Sequence, residues 1–268
     1  MKLSFDEPGK LLLAFLAAAA WGALLPAAAP AAGWEFNSAF NYDTGKYGSA
    51  VRTDSVYIPF TLKRKYDNAG FSVTVPYLRQ SSTGEVTRVG GNPVRKAKGI
   101  GAAAGSSASG PGDMLLRGSY TLELDGPRSF DLALAGKLKL PTADKNKGLG
   151  TGELDEGVGL EFAKEVTPAL TLLSDAYYTI IGDPAGVNFN NELAVDAGLY
   201  CPLRKNLALT VLYETRSAIV DGNADPRSFS CTLSYSLRDG FQLAVGLTLG
   251  LSDGSPDLAM GAGFSGRF

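Results

Sequence analysis

FQLAVGLTLG, residues 241–250, alternates without a break: Phe241, Leu243, Val245, Leu247 and Leu249 fall on one side, and Gln242, Ala244, Gly246, Thr248 and Gly250 on the other. A period of two places successive side chains on opposite faces of a strand, so the two faces of this strand see different surroundings. The same pattern spreads outward along the chain. In 128–140, Phe130, Leu132, Leu134, Leu138 and Leu140 alternate with Asp131, Lys137 and Lys139. In 228–237, Phe229, Cys231, Leu233, Tyr235 and Leu237 alternate with serines and Thr232.

Extended over the 268 residues, this reading gives about twelve strands, near 34–42, 54–65, 70–79, 114–124, 128–140, 153–164, 169–181, 192–201, 206–217, 228–237, 241–250 and 257–268. Most approach the 9–11 residues that a tilted strand needs to cross a bilayer. The connections alternate short and long. Short ones include Asp67-Asn68-Ala69, Asp125-Gly126-Pro127, Val166-Thr167-Pro168, Pro202-Leu203-Arg204 and Arg238-Asp239-Gly240; long ones cover 43–53, 80–113, 141–152, 182–191, 218–227 and 251–256. Short periplasmic turns and longer external loops are the habit of outer-membrane barrels. The expected fold is all-β: a transmembrane antiparallel up-and-down barrel with both termini on the periplasmic side.

The faces then follow from energetics. One face of each strand is apolar; the other carries Glu35, Lys63, Arg117, Glu123, Asp131, Lys137, Lys139, Asp155, Glu161, Asp175, Asp196, Glu214 and Arg216. An Arg or Lys at the bilayer midplane on the lipid face costs about 2–4 kcal/mol, so these charges are expected inside. Backbone groups without water or edge partners force closure into a barrel. Arg117, Asp131, Lys137, Lys139, Asp155, Asp175, Glu214 and Arg216 are the candidate lumen-lining residues. Whether they leave an open lumen or seal it by mutual pairing stays open. Cys201 and Cys231 fall outward on strands that are not neighbours, which predicts two free, lipid-facing thiols.

Both ends of the chain carry export features. Lys2 and Lys10 precede the apolar run 11–25, and Ala29-Pro30-Ala31 offers small residues for cleavage, so 1–31 is expected to be a cleaved signal peptide and 32–268 the barrel domain. The last segment, LAMGAGFSGRF, alternates and ends on an aromatic; Phe264 and Phe268 resemble the terminal signal that the barrel assembly machinery reads.

Composition removes several function classes. With 25 Lys+Arg against 27 Asp+Glu there is no electrostatic case for nucleic acid. The absence of histidine removes His-based nucleophile pairs and His-ligated metal, and with them the chemistry on which the phospholipase and omptin-type protease barrels rely. No catalytic, metal or cofactor residue is assigned. Gly99-Ile100-Gly101 lacks the strand and helix of a dinucleotide fingerprint. Asp144, Asn146, Glu153 and Asp155 do not have the spacing of an oxygen-ligand calcium loop, and 141–152 reads as a solvated hairpin that shapes the mouth. The stretch 80–113 reads either as a mobile external loop or as one folded into the mouth, where Arg88, Arg95, Lys96 and Lys98 would supply a positive field.

Gly112-Asp113 before a strand, LKLPTADKNKGLGTGELD at 138–155 and AYYTIIGDP at 176–184 together resemble a family of outer-membrane transporters associated with the meta-cleavage pathway of phenol degradation. Pro141, Thr142, Asp144, Gly148, Gly150, Thr151, Gly152 and Asp155 match its pattern; Ala143 stands where the family usually has glycine. The resemblance implies passage of a small, often hydrophobic or aromatic, compound across the outer membrane. The expected partners are outer-membrane lipid, the assembly machinery and that small solute. The alternative is a non-conducting structural or adhesive barrel whose external loops bind a partner.

Overall fold

In a computed structural model, residues 33–81, 86–89, 92–95, 107–122 and 130–268 are described. The expected signal peptide 1–31, Lys96, Lys98, Gly99-Ile100-Gly101, Glu123 and the turn at 125–127 lie outside the described residues.

The described strands are β1 (Trp34–Gly45), β2 (Thr53–Lys65), β3 (Ala69–Gln80), β4 (Val86–Val89), β5 (Asn92–Arg95), β6 (Ala108–Pro111), β7 (Met114–Thr121), β8 (Asp131–Leu140), β9 (Asp155–Thr167), β10 (Leu170–Ile180), β11 (Glu192–Arg204), β12 (Leu207–Arg216), β13 (Arg227–Arg238), β14 (Phe241–Gly250) and β15 (Leu258–Arg267). From β7 to β15 each strand pairs antiparallel with the next, β7 pairs with β3, and β3, β2 and β1 follow in turn. The ring closes where β1 meets β15, in register from Glu35↔Arg267 to Thr44↔Leu258. With β6 and β7 counted as one interrupted stave, twelve staves make a closed barrel, so no backbone edge is left to hydrocarbon.

The interruption between β6 and β7 has a defined cause. Tyr77 faces Pro111 and Thr74 faces Leu115, so Val75 and Pro76 stand opposite three residues, Gly112 to Met114. The extra residue is a bulge. Beside it the Gly112 N–H reaches the Pro76 carbonyl at 2.9 Å, and the Asp113 carboxylate accepts from the Ala143 N–H.

The alternation seen in the sequence becomes the two surfaces of the wall. Phe40, Phe60, Leu134, Leu160, Leu193, Phe229, Val245 and Leu247 are exposed on the outside. An all-round band of exposed large apolar side chains has no aqueous use, and lipid is the solvent it suits. Cys201 and Cys231 face outward within it as free thiols on strands separated by β12. Both ends of the described chain lie at the short-turn end: Trp34 and Phe268 exchange backbone hydrogen bonds of 3.1 and 2.9 Å, and the Lys65 N–H reaches Gly33.

Candidate functional site

Inside the barrel, the charged residues divide into groups with different partners. At the mouth, Lys139 is buried, with its side chain 2 % exposed. Its ammonium stands 2.8 Å from Asp155, 3.7 Å from Asp113 and 2.9 Å from the Thr151 hydroxyl. Asp155 also accepts from the Gly182 N–H at 3.0 Å, and Asp113 from the Ala143 N–H at 2.9 Å. One cation therefore ties β8, β9, the bulge and two loops together.

The residues around it are those of the 141–155 motif, and the structure gives each a job. Thr142 accepts from the Met114 N–H at 2.8 Å and donates to the Gly112 carbonyl at 3.1 Å. Asp144 caps the single turn 145–147. Gly148 and Gly152 take φ of 72° and 81°, which glycine adopts without penalty. Gly150 leaves no room for a side chain, since a Cβ there would sit 2.7 Å from the Asp113 carboxylate. Ala143 sits at an ordinary negative φ, so alanine in place of the family's glycine costs the turn nothing. The expectation of a solvated hairpin holds for Pro141, Thr142 and 144–147, which are exposed, and is corrected for Ala143, Leu149 and Thr151, which are buried where the hairpin folds inward over Leu78.

Deeper in the lumen, Glu161, Asp175, Asp196 and Glu214 face one another in register across β9, β10, β11 and β12. Arg117 reaches over to Glu161 and to the Tyr177 hydroxyl, and that hydroxyl donates to Glu161. Lys137 lies 4.0 Å from Glu192 and 5.1 Å from the Tyr177 ring centre. Glu214 accepts from Ser228 at 3.0 Å. Arg216 shares the inner face beside Ala194, its register partner, and Asp131 sits on the inner face at the short-turn end, opposite Ala163.

The opposite half of the lumen differs in kind. The inner residues of β13 are Ser228, Ser230, Thr232, Ser234 and Ser236; those of β14 are Gln242, Ala244, Gly246 and Thr248; those of β15 are Ala259, Gly261, Gly263 and Ser265. These side chains are small and uncharged. Thr232 of β13 and the inner residues of β14 and β15, together with Asn37, Ala39 and Asn41 of β1, border a cavity of about 500 Å³. The charged half lines its side of the barrel with long side chains, and the small half leaves space.

The mouth holds the feature that the sequence left between two readings. The hairpin β4–β5 lies across it. Val86 is fully buried, and the Thr87 hydroxyl donates to the Gly148 carbonyl at 3.2 Å. Val89 packs with Ile181, Val187, Phe189, Ile219 and Val220, from the loops on the far side of the ring. Arg88 points the other way, to Asp43 on β1, and its guanidinium lies 5.1 Å from the Tyr57 ring centre. Asp43 also accepts from the Tyr47 hydroxyl at 2.9 Å. Burial and the neighbouring carboxylate push the Tyr47 phenol well above its ordinary range, so it stays a donor. Arg95 is held on the Gly48 carbonyl at 3.1 Å, and its own carbonyl accepts from Asn223 at 3.1 Å. Instead of lending a positive field to the mouth, Arg88 is neutralised inside it. A second cavity of about 180 Å³ lies between the hairpin and the external loops, bordered by Tyr47, Arg95, Glu192, Asn223 and Asp253.

With this geometry in place, likeness to known proteins can be stated. A family model described as "Putative MetA-pathway of phenol degradation" matches residues 55–268. The crystal structure of an outer membrane channel from Pseudomonas putida F1 superposes with a TM-score of 0.65 at 14% identity, covering 90% of this chain and 97% of that one. The NanC porin gives 0.57 at 8% identity, covering 87% and 100%, and the KdgM porin 0.55 at 10%, covering 87% and 99%. At such identities the likeness is one of fold, that of outer-membrane barrels. No curated protein matches the chain.

Proposed function

The chain belongs to the family of the MetA-pathway of phenol degradation, and from that premise we propose that this outer-membrane barrel is a passive channel for small solutes with an aromatic or hydrophobic body. The observation that carries the reading is the small-residue half of the lumen, which leaves about 500 Å³ of space beside a wall of mostly small and neutral polar groups, with Glu35 and Asp43 at its borders. On the charged half of the wall, Arg117, Lys137 and Lys139 are each held by a carboxylate, on Glu161, Glu192 and Asp155. A flat ring carrying a hydroxyl or similar group fits such a wall: its body needs only room, and its polar group finds Ser, Thr, Asn and Gln side chains. The short-turn end is assigned to the periplasm and the plugged end to the outside. Catalysis has no part in this reading.

A specific observation favours the second reading, a non-conducting barrel. The hairpin β4–β5 packs across the mouth, and its buried contacts look like those of a permanent plug. Two measurements on the purified barrel separate the readings: conductance in planar bilayers, and efflux of bilayer-impermeant solutes from liposomes. The solute panel holds an aromatic amino acid, 4-hydroxybenzoate and a pentose. A channel gives efflux above protein-free liposomes and faster for the aromatic members. Efflux equal to protein-free liposomes for all three, with no conductance, refutes the channel and leaves the structural barrel.

A further inference from the structure

We propose that Asp43, Tyr47 and Arg88 form the solute-selecting closure of this route, and that the Asp43 carboxylate is a binding site for the hydroxyl of a hydroxylated aromatic solute, which takes the place that the Tyr47 phenol holds. The inference rests on the channel reading and adds the point at which the channel selects.

Three observations converge on it. The first is position. Tyr47 borders the external cavity and Asp43 borders the lumen cavity, so the hydrogen bond between them joins the two spaces. In the proposed route, a solute moves from one to the other past this contact. The second is chemistry. The chain's own phenol donates to Asp43 at 2.9 Å in a site where Tyr47 and Asp43 are 2 % and 6 % exposed. A carboxylate held there by Arg88 accepts a phenolic hydroxyl well, since such a hydroxyl is a strong donor and the bond is charge-assisted. The guanidinium against the Tyr57 ring shows that aromatic faces are accommodated on the same cation. The third is strain. Tyr47 sits at φ 50°, the only non-glycine described in the left-handed region. An arrangement of that sort is strained and persists only while the surroundings hold it. The turn is therefore closed under load, and removing its hydrogen bond releases it.

The mechanism is exchange. An incoming hydroxylated ring donates to Asp43, Tyr47 leaves the carboxylate, its turn relaxes, and the passage between the two cavities opens. A solute without a donor has nothing to offer Asp43 and meets the closed form.

The test is single-channel recording from the purified full-length barrel in planar bilayers, with phenol, anisole or benzoate added. Anisole keeps the ring and the oxygen but cannot donate; benzoate offers an acceptor to Arg88 and no donor to Asp43. Phenol is expected to raise the open fraction of the wild type, while anisole and benzoate leave it unchanged. Tyr47→Phe is expected to be open without phenol by about ten-fold, the shift carried by one hydrogen bond to a charged acceptor, and to respond no further. Asp43→Asn is expected to lose the preference for phenol over anisole. Heat-modifiable migration on gels confirms that each variant is folded; if Asp43→Asn fails to fold, Tyr47→Phe decides alone. A wild type that conducts identically with phenol and anisole, together with a Tyr47→Phe barrel within two-fold of it, overturns the closure while leaving the channel intact. Silence in every barrel, with and without phenol, overturns both.

Discussion

Replacing Lys139 by methionine removes the cation shared by Asp155, Asp113 and Thr151 at the mouth. The side chain keeps its length and loses its charge. Asp155 and Asp113 then remain buried with one backbone donor each, from Gly182 and Ala143. Breaking a buried pair by deleting one partner costs about 3–5 kcal/mol, because the other charge is left without compensation. The surviving backbone bonds place this case near the lower end, about 3 kcal/mol, which is roughly a hundred-fold in the ratio of folded to unfolded barrel. Adding Asp155→Asn removes one of the orphaned charges and is expected to restore about 1–2 kcal/mol. The assay is urea titration of the barrel in thin bilayers, followed by Trp34 fluorescence and by heat-modifiable migration. Lys164→Ala serves as control, since Lys164 lies on the outer face beside Leu172 at the short-turn end. A Lys139→Met barrel within 1 kcal/mol of wild type, or a double variant less stable than the single, refutes the idea that this cation organises the mouth.

Other outcomes follow from the two faces and from the tight places. Val245→Arg, on the lipid side, should destabilise the barrel by about 2–4 kcal/mol; Ala244→Arg, one residue away on the lumen side, should leave stability within about 1 kcal/mol and lower conductance instead. Gly150→Ala should cost about 1–3 kcal/mol in the same titration, because its methyl meets Asp113 at 2.7 Å and Ala143 at 2.9 Å. Deleting Phe268 removes its backbone exchange with Trp34, and the assembled fraction in outer-membrane preparations should drop several-fold; an unchanged fraction would show that the terminal aromatic is not read.

The sequence carries the wall of this barrel openly. Period-two alternation in stretches such as 241–250 and 228–237 assigns strands and faces together, because a lipid exterior and a wet interior impose opposite demands on neighbouring residues. It also predicts the outward thiols. The mouth is less legible, and for physical reasons. Asp113 meets Lys139 beside a one-residue bulge that shifts the register of 108–111 against β3, and no alternation count detects a bulge. The available signal was Gly112-Asp113 ahead of the strand, which the family resemblance marked without assigning a role. The β4–β5 hairpin consists of two four-residue strands, VTRV and NPVR, within a Gly-, Ser- and Ala-rich stretch. Such short runs match a solvated loop as well as a buried plug until the rest of the mouth exists to receive Val89. Arg88 suggested a positive field for the same reason: its partner Asp43 is 45 residues away in the chain.

The seam between β1 and β15 has a consequence for synthesis. Ten residue pairs, from Glu35↔Arg267 to Thr44↔Leu258, join the two ends of the described chain. Every other stave meets the stave before or after it in chain order, so hairpins can accumulate; this seam cannot form until β15 is made. A truncated product keeps two sticky flanks however well its other staves have zipped, and it offers them to any chain within reach. The difference between a closed and an unclosed barrel is therefore a simple physical one, the absence or presence of a free flank.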